Sequence, residues 1–131
     1  MLFSVFSKKY RAKDEQSFIN MSIYKRVLGD IEKSKYCSIS EEEMQFIYQL
    51  ILKLFRCGET KSIRLTRMSN KAISVTYNTY PIGKVRLQGR KTWMQILIDL
   101  YEYETLEGNL NDYIDGIDHW ILYIKKHLNA T

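Results

Sequence analysis

The chain has 131 residues, 20 Lys and Arg against 15 Asp and Glu, a formal charge of +5, 45% apolar and 13% aromatic residues. These figures fit one compact domain with a real core and exclude a disordered polyelectrolyte. Two cysteines, Cys37 and Cys57, are too few for a disulfide framework, or by themselves for a four-ligand zinc site.

Residues 1–6 are largely apolar, but the run is too short for a signal core or a membrane span, and its basic residues (Lys8, Lys9, Arg11, Lys13) follow it instead of preceding it. Residues 1–13 read as a basic arm. No other run reaches the roughly 20 apolar residues that a span requires. The expectation is a soluble cytoplasmic protein with reduced thiols.

Residues 14–58 read as a helical pair. Phe18, Met21, Ile23, Tyr24, Val27, Leu28 and Ile31 recur in steps that suit one helical stripe. Ser40-Glu41-Glu42-Glu43 is a helix start: Ser40 caps, Glu43 closes a capping box, and three carboxylates favour the positive end of the dipole. Met44, Ile47, Tyr48, Ile51, Leu54 and Phe55 then line one face, and Gly58 is a natural stop. Residues 34–39 would join the two helices as an antiparallel pair.

The texture then changes to a β-meander over 61–98. Ile63-Arg64-Leu65-Thr66, Ile73-Ser74-Val75-Thr76-Tyr77 and Val85-Arg86-Leu87 alternate, and Trp93 to Ile98 is strand-like. Ser69-Asn70, Asn78-Thr79-Tyr80-Pro81 and Gln88-Gly89 separate them as turns, with Gln88-Gly89 the best-marked hairpin. Residues 99–108 read as an acidic loop. Asn109 caps a last helix over 109–128, with Asp112 at the capping-box position and Lys125, Lys126 and His127 in its final turn. The fold class is α+β in a single domain: two N-terminal helices, a three- to four-stranded antiparallel meander and a C-terminal helix.

Charge is the most informative feature. Between Lys61 and Ile98 stand Lys61, Arg64, Arg67, Lys71, Lys84, Arg86, Arg90 and Lys91, and no Asp or Glu. If Ile63, Leu65, Ile73, Val75, Val85 and Leu87 face the core, then Arg64, Thr66, Ser74, Thr76, Lys84 and Arg86 form a basic, hydroxyl-rich plate on the opposite face. Arg90 and Lys91 extend it. Such a plate attracts phosphate backbones or an acidic protein surface. Tyr77, Tyr80 and Trp93 can either stack on bases or pack within the hairpins.

Catalytic patterns are missing. His119 and His127 lie two turns apart, too far to share a metal, and the cysteines lack CxxC spacing. No GxSxG, Walker lysine loop or GxGxxG occurs. Glu59-Thr60-Lys61 matches the short ExK fragment of metal-dependent nucleases, but the upstream acid Asp30 falls on a helix instead of a strand. The expectation is no enzyme and no cofactor.

The segment Tyr80–Leu97, with Pro81-Ile82-Gly83 leading into Val85-Arg86-Leu87-Gln88-Gly89-Arg90-Lys91-Thr92-Trp93, resembles a hairpin of small accessory proteins from phages and prophages of low-GC Gram-positive bacteria. Residues Asp112–Leu128, with Tyr113-Ile114-Asp115-Gly116-Ile117-Asp118-His119-Trp120, resemble the helix that follows it there. The likeness covers the C-terminal third to half of the chain and transfers no functional residues. Scarce alanine (Ala12, Ala72, Ala130) beside plentiful Ile, Lys, Tyr and Asn accords with AT-rich coding DNA. The resemblance implies a host-takeover or counter-defence factor acting in the host cytoplasm, anti-CRISPR proteins of type II systems included. The expected partner is then a host CRISPR effector nuclease or its guide RNA, blocked by steric and electrostatic docking of the basic face. The alternatives are a phage regulator that binds DNA or RNA directly, and a structural or assembly protein. Glu41-Glu42-Glu43 at the head of the second helix opposes its use as a recognition helix, because phosphates would be repelled.

Overall fold

The computed structural model describes residues 21–33, 37–56, 62–99 and 102–128. The expected basic arm, residues 14–20, the Gly58 stop and the Glu59-Thr60-Lys61 fragment lie outside them. The described residues form helix α1 over 21–32, α2 at Glu41–Arg56, strands β1 Ile63–Arg67, β2 Ile73–Tyr77, β3 Tyr80–Arg86, β4 Trp93–Leu97 and β5 Tyr103–Leu106, and α3 at Leu110–Tyr123, which runs into a π-helical turn at Ile124–Leu128. The strands make one antiparallel sheet in the order β1-β2-β3-β4-β5. The α+β class and the element order agree with the sequence, and the meander has five strands.

Both capping boxes form. Ser40 N–H donates to Glu43 Oε1 (2.9 Å) and Glu43 N–H to Ser40 Oγ (3.2 Å). Asn109 N–H donates to Asp112 Oδ2 (2.9 Å) and Asp112 N–H to Asn109 Oδ1 (3.0 Å). Each satisfies donors that helix geometry leaves without partners.

The helices bury their stripes against one sheet face. Val27 and Ile31 of α1, Phe46, Ile47, Leu50, Ile51 and Leu54 of α2, and Tyr113, Ile117 and Trp120 of α3 join Ile63, Leu65, Ile73, Val75, Val85 and Met94 in one core. Tyr24 of α1 meets Tyr48 of α2 edge-on at 5.7 Å. Trp120 fixes α3: its ring meets Phe46 at 5.7 Å and its indole N–H donates to the Gln95 carbonyl (2.8 Å). That approach requires Gly83, where an added Cβ would lie 2.6 Å from the Gln95 oxygen and against the Trp120 indole. Lys53 ties α2 to α3 through the Ile114 carbonyl and Asp118, both at 3.0 Å.

Three local expectations are corrected. Residues 99–108 are not all loop, since Tyr103–Leu106 pairs with β4. The strand is four residues long and its core-side positions are Glu104 and Leu106, so the charged Glu104 breaks the apolar alternation in the sequence. Tyr80 and Pro81 belong to β3, because the β2–β3 turn needs only Asn78 and Thr79, both with positive φ (50° and 71°). Proline is tolerated there beside a bulge at which the β2–β3 register shifts, and Ile82 and Gly83 are both buried. Gln88-Gly89 is part of a longer β3–β4 loop instead of a tight turn, with Gly89 at φ 103°. Among the described residues, no helix is long and apolar enough to cross a membrane.

Candidate nucleic-acid interface

Antiparallel register builds the outer sheet face row by row. Thr66 pairs with Ser74, Ser74 with Lys84, Lys84 with Gln95 and Gln95 with Thr105, giving one polar row across all five strands. A second row runs Arg64, Thr76, Pro81 on β1–β3, with Leu97 and Tyr103 paired on β4–β5. Arg86 and Trp93 form a third pair. No carboxylate occupies any of these positions. Neighbours within a row stand about 4.8 Å apart, so the face presents hydroxyls, an amide and cations as a continuous plate. The described helices pack on the opposite face.

The predicted cations do not all lie on this plate. Lys84 and Arg86 are on it, partly buried. Arg86 Nε donates to the Gln88 carbonyl (3.0 Å), which lays the guanidinium over its own loop beside Gly89. Arg90 is exposed in that loop, and Lys71 is exposed in the β1–β2 turn with φ 73°. Among the described residues, no carboxylate pairs with Lys71, Lys84, Arg86 or Arg90. Lys61 lies outside the described residues.

The remaining cations meet acids that the fold brings in from elsewhere. Arg64 is on the plate and exposed, yet Asp30 of α1 reaches it at 3.2 Å. Lys91 pairs with Glu107 at 3.4 Å, both side chains exposed. Arg67 leaves the surface: it points into the core side and is 2% exposed. A sequence stretch without acids is therefore not a surface without acids, because α1, α2 and the segment after β5 supply three.

Arg67 instead organises one end of the molecule. Its guanidinium grips the Glu43 carboxylate with both terminal nitrogens (2.9 Å from Nη2 to Oε1) and donates to the carbonyls of Lys71 (2.9 Å) and Ser38 (3.3 Å). Gln88 Nε2 donates to Glu43 and to the Ser38 carbonyl (2.8 Å). Burial alone would raise the Glu43 pKa. Hydrogen bonds from Arg67, from the Ser40 N–H and from Gln88, with the Arg67 charge, outweigh that and hold it below its ordinary value of 4.5. The Glu43 hydrogen bond in turn raises the pKa of Arg67. This buried pair with two hairpin loops around it had no sequence signal beyond Arg67 standing at an inward position of an alternating strand.

No protein-family model, curated protein or solved structure matches the chain. What the surface can do follows from its own chemistry. Tyr77 is buried among core residues, whereas Tyr103 is 59% exposed and Trp93 half-covered at the outer face. Cys37 is a free thiol, partly buried, and Cys57 lies outside the described residues. Among the described residues no group of His, Cys, Asp and Glu is arranged to hold a metal.

Proposed function

We propose that this chain is a non-catalytic binding protein whose outer sheet face docks on RNA phosphates. In the phage setting implied by the resemblance of its C-terminal half, it inhibits a host guide-RNA-directed nuclease of the type II CRISPR class by seating that face on the guide RNA. The supporting observation is the plate itself: registered rows of Arg64, Thr66, Ser74, Thr76, Lys84, Arg86, Gln95 and Thr105 with no carboxylate among them. Charge complementarity favours a polyanion, and an open sheet face suits single-stranded RNA better than a duplex groove. Trp93 and Tyr103, at the margins of the rows, offer rings to unstacked bases.

Lys84→Glu combined with Arg86→Glu tests this. Both side chains are partly exposed and neither pairs with a carboxylate among the described residues, so the fold should survive. Binding to single-stranded RNA should weaken as salt rises, with a slope of about 0.7 per phosphate contacted. The double variant should lose most of the affinity, flatten that slope and stop inhibiting a purified guide-RNA-loaded nuclease. Unchanged inhibition by the variant would remove the plate from the mechanism. Inhibition without any RNA binding would move the target to an acidic protein surface.

A further inference from the structure

The two edges of the sheet are treated differently. At β1, Arg26 of α1 donates to the Ile63 carbonyl (3.0 Å) and Asp30 of the same helix pairs with Arg64, so a helix guards that margin. At β5 no described strand or helix pairs with the outer edge. An open edge presents a row of unused backbone donors and acceptors, a template for another strand.

The surroundings of β5 are built to choose what it accepts. Glu104 sits on the core-side row, opposite Ile96, where the sheet overhangs α3. Beneath it is a groove of about 420 Å³ between β4–β5 and α3, with Ile96, Leu106 and Leu122 among its apolar lining and Glu104, Asp112 and Asp115 as its carboxylates. His119 of α3 and Lys126 and His127 of the π-helical turn that follows it line the same groove. Ile98 and Leu122 around it are 46% and 58% exposed. Glu102 and Glu107 flank the strand. A second copy pairing antiparallel about Glu104 would set that carboxylate against its own equivalent, and one pairing about Tyr103 would set Glu102 against Glu104 of the copy; like charges across a strand pair destabilise it. A strand with cations at alternate positions meets the opposite situation.

We propose that the open edge of β5, with the groove beside it, takes an extended cationic segment of a partner protein as a sixth strand. Backbone pairing to β5 provides the hold. Alternate Lys or Arg side chains on the core-facing side meet Glu104 and Asp115, and their aliphatic stems lie on Leu122 and Leu106. This surface is separate from the basic plate and does not depend on RNA binding.

The test uses the full chain and a fluorescein-labelled short peptide of alternating lysine and valine. Two control peptides accompany it, one with glutamate replacing lysine and one with alternate backbone nitrogens methylated. The lysine peptide should bind and slow amide exchange at Tyr103–Leu106. Glu104→Lys, at an exposed position, should weaken it about tenfold. Neither control peptide should bind. Equal binding of the N-methylated peptide would reduce the contact to charge attraction without a sixth strand and overturn the proposal, as would insensitivity to Glu104→Lys. Slow exchange of all four amides in the dilute chain alone would assign the edge to a segment of the same chain. A concentration-dependent dimer protecting those amides would assign it to a second copy. Either of these overturns the assignment to a partner.

Discussion

Glu43 carries three duties on one carboxylate. It closes the capping box of α2, accepts both terminal nitrogens of Arg67, and accepts from Gln88. Removing one partner leaves the other charged and buried, so Arg67→Met should destabilise by about 3–5 kcal/mol in denaturant titrations. Adding Glu43→Leu to that variant should restore much of the loss, because no buried charge remains, although the capping box is given up. The pH dependence follows from the depressed Glu43 pKa. Its contribution is fully present above 4.5, the ordinary value expected of the unfolded chain, and is lost as pH falls through the lower folded value. Stability should therefore decline on acidification below that point. Glu43→Gln should be less stable at neutral pH and show a flatter acid limb in the same titrations.

The elements differ in how far local chemistry specifies them. Both capping boxes and the alternation of β1 and β2 are legible because each depends on neighbours within a few residues. The fifth strand is not, because Tyr103–Leu106 owes its place to pairing with β4 and carries Glu104 where a strand ordinarily places an apolar residue. The β2–β3 turn is legible at 78–81 but reads two residues too long, for a different reason. Its second central residue is Thr79, a β-branched side chain held at φ 71°, where glycine would be the usual choice. Thr79→Gly should accordingly stabilise the protein by about 1 kcal/mol, read as a raised denaturation midpoint with an unchanged slope.

At the scale of the molecule, the two faces of the sheet share the work unevenly. One is closed by helices; the other displays the registered polar rows. Sequence alternation assigned Arg64, Lys84 and Arg86 to the open side, and the strand register agrees. It could not reveal that Asp30, Glu43 and Glu107 come through space to Arg64, Arg67 and Lys91, since those pairs span from 16 to 34 positions of chain. Among the described residues of this stretch, fewer cations are free of carboxylates than the composition promised: Lys84 and Arg86 on the plate, and Lys71 and Arg90 in the loops beside it.

The Glu43 cluster has a consequence for how the molecule opens. First turns of helices ordinarily fray, and their amides exchange early. Here the first turn of α2 is held from both neighbouring loops, through Lys71 and Gln88. It cannot unwind without releasing the tips of two hairpins. Native-state deuterium uptake at Glu43 and Met44 should therefore track unfolding of the whole chain, and Arg67→Met should return those amides to ordinary local breathing.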